Sequence, residues 1–179
     1  MKIIYKENNG NIIILMLSLR CLKTHSIEAI ALKDVPEGIP FWIVDDDVIL
    51  SDRTFRDAWD IPDTIGTPSG VGSVYSSFKD IPEKHIKKMK RVKTDKPAIT
   101  VNSAKAKDIT KRMVREWREQ EFKKNDVNLQ NALVDGVDVT PFRMKRNWLR
   151  DLPDECEGRT VDELRALLVE LGILETPIS

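Results

Sequence analysis

The residues best equipped for recognition chemistry lie late in the chain, in Arg143-Met144-Lys145-Arg146-Asn147-Trp148-Leu149-Arg150-Asp151-Leu152-Pro153. Three arginines flank a tryptophan on a basic helix that Pro153 ends. Guanidinium and indole groups carry a disproportionate share of the binding energy at protein–protein contacts. Arg143, Arg146, Trp148 and Arg150 are therefore candidate partner-binding residues. Each has a structural alternative. Trp148 can pack against Trp117 in the helical core, which predicts that both rings are largely buried. The arginines can pair with Glu116, Glu119 or Glu121 on the preceding helix, and both readings of them stay open.

Elsewhere the search for chemistry is thin. His25 and His85 sit in segments that read as exposed, and no serine or cysteine lies in a nucleophile motif. Gly66, Gly70 and Gly72 fall among Pro and Ser, not between a strand and a helix as a phosphate loop requires. No catalytic residue and no cofactor is expected, and the chain reads as a non-enzyme. Asp45-Asp46-Asp47, with Asp52 nearby, suggests hard-cation binding but lacks the ligand spacing and downstream glutamate of a calcium loop. A solvated acidic turn is the preferred reading, with no metal expected.

Formal charge is zero overall, so no global field recruits nucleic acid or membrane. Locally, residues 61–100 hold 8 basic and 4 acidic side chains. The run Lys84, Lys87, Lys88, Lys90, Arg91, Lys93 and Lys96 could contact phosphates. It has no aromatic residue between Phe78 and Lys96 for base stacking, and Asp80, Glu83 and Asp95 dilute it. A solvated segment is preferred, and nucleic acid is disfavoured as a partner. Cys21 and Cys156 are too few for a disulfide framework and read as reduced thiols. The first residues lack a signal-peptide layout. The apolar run Ile12 to Leu19 is too short to cross a bilayer and reads as a buried strand, so no membrane partner is expected.

The elements that carry these residues follow from pattern. Lys2 to Lys6 and Ile12 to Leu17 are β-prone and are separated by Asn8-Asn9-Gly10-Asn11, which predicts a hairpin. Ser26 caps a short helix over Ile27 to Leu32 with Glu28 in its first turn. Phe41 to Val44 is a third strand, and Ser51 to Trp59 a final helical turn or edge strand. Residues 61–100 are rich in Pro, Gly, Ser and Lys and read as a mobile linker, with Glu83 to Arg91 helical. Ser103 opens a long helix with Ile109, Met113, Val114, Trp117 and Phe122 at helical spacing, continued by Leu129, Ala132 and Leu133 up to Gly136. Thr140-Pro141 starts the basic helix. Thr160 and Glu163 form a capping box before the stripe Val161, Leu164, Leu167, Leu168 and Leu171, and Gly172 is the C-cap. The expected fold is α+β: a small α+β domain over 1–60 (hairpin, short helix, third strand), a linker over 61–100, and a helical domain over 101–179 with an antiparallel helix pair plus a short helix.

Several words in the sequence resemble a known group. They are Ala104 to Ile109, Arg112 to Arg118, Asn125-Asp126-Val127, Trp148-Leu149-Arg150-Asp151-Leu152-Pro153 and Thr160 to Leu164. Through them, residues 103–168 resemble the C-terminal helical region of bacteriophage tail fibre assembly and tail assembly chaperone proteins. Residues 1–60 resemble a small domain of phage proteins, through Ser26 to Ala31, Lys33 to Phe41, Ile43-Val44-Asp45 and Asp52 to Trp59.

The resemblance implies a non-enzymatic phage or prophage chaperone. It would bind a tail fibre or other tail protein in the host cytoplasm during assembly, with retention in the virion left open. Fibre trimers are rich in β-structure, and their unpaired strand edges template aggregation until covered. The alternatives are a small structural component of the phage tail, and a nucleic-acid-associated protein using residues 79–96. Homo-oligomerisation is open.

Overall fold

The computed structural model describes residues 1–94 and 96–175. The chain is α+β and divides into two compact units, Met1–Val101 and Asn102–Ser179.

In the first unit, β1 (Lys2–Lys6) and β2 (Ile12–Leu15) form the expected hairpin. Gly10 supplies the positive φ of the turn, at 87°, and its N–H donates to the Glu7 carbonyl at 2.9 Å. After a single helical turn, α1 (Leu19–Leu22), comes α2 (Ile27–Asp34). Ser26 Oγ accepts the Ala29 N–H at 3.2 Å, Glu28 favours the helix dipole, and Val35-Pro36 stops the helix. Then come β3 (Pro40–Val44), β4 (Trp59–Asp60) and β5 (Gly70–Val71). One sheet runs β2-β1-β3-β5, every pairing antiparallel.

Alternation along the strands divides the core in two. Ile3, Tyr5, Phe41 and Ile43 pack with Ile27, Ile30 and Ala31 of α2. On the opposite face Ile4, Ile12 and Val44 pack with Trp59, Ile65, Ala98 and Ile99.

That second layer corrects the linker reading. Residues 61–100 belong to the folded unit, and Ile65, Ile81, Ala98 and Ile99 are buried. The small residues serve close backbone approach, not slack. The Ser69 N–H donates to the Phe41 carbonyl at 2.8 Å, and Ser69 Oγ accepts the Ile43 N–H at 2.9 Å. A Cβ on Gly72 would lie 2.1 Å from the Pro36 carbonyl oxygen. After α3 (Glu83–Lys87), Val92 N–H donates to the Ile43 carbonyl at 2.9 Å, and β6 (Thr100–Val101) pairs with β4. The run from Ile12 is also corrected: β2 is one of the two outer strands of the sheet and mostly half-buried, and Met16 and Leu19 are exposed.

The second unit is helical. α4 spans Ser103–Val134, with Asn102 rather than Ser103 as its cap. Its buried residues are Ala106, Thr110, Val114, Asn125 and Ala132, so the core-facing ridge is made of small and polar side chains. Gly136, at φ 67°, ends it, and the Val137 N–H closes on the Ala132 carbonyl at 2.9 Å. α5 (Thr140–Asp151) starts with Val139 at the cap position, Thr140 as its first residue and Asp138 accepting the Thr140 N–H at 2.9 Å. A 3-10 turn over Leu152–Cys156 contains Pro153. α6 (Val161–Glu170) has the expected capping box. Gly172 closes it at φ 69°, its N–H on the Val169 carbonyl and that of Ile173 on the Leu168 carbonyl. Both α5 and α6 contact α4, and Leu149, Leu152, Cys156, Leu164, Leu167 and Leu168 are buried.

Candidate partner-binding surface

Only Leu149 is buried among the residues of α5. The helix keeps one anchor for its own unit and leaves its other large side chains to solvent or to the flanks of the α4–α5 contact. The four candidate residues do not form one cluster. At 100° per residue, Arg143, Arg146 and Arg150 share a stripe, whereas Trp148 lies on the other side with Met144.

On the arginine side, Arg146 pairs with Asp126 of α4, and its guanidinium carbon lies 5.9 Å from the Phe122 ring centroid. Arg118 lies 6.0 Å from the same ring and donates to the Arg150 carbonyl at 3.0 Å. Phe122 thus has two cations beside its ring. Arg150 pairs with its neighbour Asp151 at 2.7 Å, which holds the Asp151 carboxyl below its ordinary range. Phe122, Asp126, Arg146, Asn147 and Arg150 line a groove of about 300 Å³. Two guanidiniums, Arg146 and Arg150, meet the Asp126 carboxylate and the Phe122 ring there, a surface suited to an anionic or aromatic group. Arg143 is exposed near Asp138, whose carboxyl it helps to hold low after the hydrogen bonds from Thr140.

On the other side, Trp148 meets Trp117 edge-on, with centroids 6.2 Å apart at 86°. The expected pairing of the rings is present, but the expected burial is not: Trp148 is 40 % exposed and Trp117 half-buried. Met144, one turn before Trp148, is 67 % exposed. The glutamates expected to pair with the arginines do not. Glu121 instead accepts from Lys124 at 2.7 Å and Lys145 at 2.8 Å, which hold it below the ordinary carboxylate range. From sequence Phe122 is only one of a helical stripe and Asp126 only part of a resembling word, and neither is picked out as a site residue. Their signal was i,i+4 spacing on α4, matched by Arg146 and Arg150 on α5.

Several of the remaining sequence candidates have structural partners. Asp46 accepts from the Met1 amine at 3.0 Å and lies 3.7 Å from Lys2. In the basic run Lys87 pairs with Glu83, Arg91 pairs with Glu28, and Met89 packs against the α2 side of the core. Asp95, read as diluting that run, lies outside the described residues, as do residues 176–179 of the helical unit. His25 stacks on Phe78 at 3.7 Å, and Tyr75 Oη lies 2.9 Å from His85 Nδ1, so both histidines are half-buried rather than exposed. Cys21 and Cys156 are free thiols, and burial pushes Cys156 up from its ordinary pKa.

Comparison with protein-family models, with curated proteins and with solved structures gives no match.

Proposed function

We propose that this chain is a non-enzymatic assembly factor that binds another structural protein through α5. The observation that carries this reading is the exposed equipment of that helix. Met144 and Trp148 on one side, and Arg143, Arg146 and Arg150 on the other, flank a single buried anchor, Leu149. Exposed side chains of these types, on either side of one short helix, are the usual equipment of binding hot spots. The resemblance of residues 103–168 to phage tail assembly chaperones supplies the partner class, a tail fibre or other tail protein met in the host cytoplasm.

The test is co-expression with the cognate fibre. The full chain should raise the yield of soluble fibre trimer. Deleting residues 102–179 should abolish the gain, and charge reversal at Arg143, Arg146 and Arg150 should weaken binding more at low salt than at high salt. A fibre that folds equally well without this chain would sink the chaperone reading. Retention in finished particles would then favour a structural tail component.

A further inference from the structure

We infer that the free edge of β2 is a docking site for an extended peptide segment that alternates acidic and apolar side chains. The inference is independent of the reading of α5.

β2 is one of the two outer strands of the sheet, and its other edge pairs with β1. At the turn the Glu7 N–H donates to the Asn11 carbonyl at 2.9 Å and the Glu7 carbonyl accepts from Gly10 at 2.9 Å, which places the inward-pointing groups at Glu7 and Asn11. Antiparallel alternation then makes Tyr5↔Ile13 and Ile3↔Leu15 the hydrogen-bonded pairs within the ladder. The N–H and C=O groups of Ile12 and Ile14 therefore point outward, available to a further strand.

Protein edges normally carry a guard: a charge, a proline or a bulge. From Asn8 to Leu19 there is no charged residue and no proline. The edge is not only open but flanked. On one face a groove of about 220 Å³ is lined by Ile14 and Met16 with Lys2, Arg53, Arg56 and Trp59 among its walls. On the other a groove of about 200 Å³ is lined by Leu15, Leu17, Cys21 and Ile30, with Asp34 at its margin. Met16 borders both and is 82 % exposed.

These two grooves lie where the two side-chain rows of an added strand would fall. Residues opposite Ile12, Ile14 and Met16 would project on the cationic face, and residues opposite Ile13 and Leu15 on the apolar one. Arg53 and Arg56 are exposed and make no ion pair among the described residues. Charge complementarity thus selects carboxylates for the first row and aliphatic groups for the second. A second copy of this chain would present an uncharged strand and leave those cations unanswered.

The experiment is amide hydrogen exchange on the full chain, resolved residue by residue by NMR. The probe is the blocked peptide Glu-Ile-Glu-Ile-Glu-Ile-Glu, with Lys-Ile-Lys-Ile-Lys-Ile-Lys as its control. The acidic peptide should slow exchange at Ile12 and Ile14 by about tenfold and leave Ile13 and Leu15, already bonded to β1, unchanged. The basic peptide should give no such protection, and Arg53→Glu with Arg56→Glu should reverse the preference. Ile14→Pro, which removes an outward donor at an edge position, should lose the effect while the rest of the spectrum stays dispersed. Equal protection by both peptides, or protection by neither, overturns the proposal. So does protection of Ile12 and Ile14 that grows with chain concentration and needs no peptide, since a second copy would then occupy the edge.

Discussion

At the scale of single residues, neighbours on α5 have opposite jobs. Leu149 is fully buried, so Leu149→Ala should cost about 2–5 kcal/mol through lost burial and the cavity left behind. Trp148 is 40 % exposed, and Trp148→Ala should cost less, chiefly the ~0.5–1.5 kcal/mol of its edge-on contact with Trp117. Urea unfolding of the two variants decides the order, and a Trp148 variant as damaging as the Leu149 one would return that ring to the core. A second residue-scale expectation concerns acid. Glu157 takes hydrogen bonds from Lys107 and Lys111, which pull its carboxyl from an ordinary 4.5 down to about 2. Because the folded-state value is the lower one, the stability this group contributes is present above the ordinary value and fades as pH falls toward about 2. The melting temperatures of wild type and Glu157→Gln should therefore differ by a constant amount near neutral pH and converge across that acid window. A difference that persisted below it would mean another group is responsible. At this scale the sequence announced the residue types on α5 but not their partners. Whether Arg146 meets Glu121 or Asp126 depends on the rotation of α5 against α4, which residue spacing on one helix does not define.

Elements were legible wherever local chemistry decides them. The Asn-Asn-Gly turn, the Ser26 cap, and the Thr160–Glu163 box with its closing Gly172 all rest on neighbouring residues. Thr160→Ala should cost roughly 1 kcal/mol, read as a lower urea midpoint for the helical unit, because it leaves the Glu163 N–H without its acceptor. Elements failed where small residues serve long-range packing. β5 is two residues long and rich in glycine, and its reason for being a strand lies on β3 and in the Val35-Pro36 backbone. Gly72→Ala would force a methyl group against the Pro36 carbonyl. It should destabilise the first unit by about 1–3 kcal/mol or more, whereas a true linker would tolerate it without change in the melting temperature. The buried ridge of α4 was hidden for the same reason. Ala106, Thr110 and Asn125 have no hydrophobic signature, yet Thr110 Oγ1 bonds the Ala106 carbonyl, and Asn125 Nδ2 donates to the Phe142 carbonyl at 3.0 Å.

For the whole molecule, the boundary near residue 101 was visible as the start of a long helix, but the end of the first domain was not. A sheet with apolar side chains on both faces needs two covering layers. The first 60 residues supply α2 over one face and only Trp59, with Val48, Ile49 and Leu50, on the other, and that sufficed to suggest a complete small domain. The rest of the second layer comes from Ile65, Ala98 and Ile99, the last two separated from the sheet by a stretch whose composition resembles a tether. The energetics make the consequence testable. Without residues 61–101, Ile4, Ile12, Val44 and Trp59 lose the part of their cover that Ile65, Ala98 and Ile99 provide, and a large side chain contributes ~1.5–3 kcal/mol when fully buried, which sets the upper bound of the loss. At most that is about 6–12 kcal/mol over the four, and even half of it is comparable with the stability of an ordinary small domain. A fragment of residues 1–60 should therefore be unfolded, with collapsed amide dispersion and no cooperative melt. A fragment of residues 1–101 should fold and melt in one transition, and Ile99→Ala in it should lower the midpoint markedly, since Ile99 is fully buried. A dispersed spectrum from the 1–60 fragment would show that the second layer is dispensable and would restore the linker.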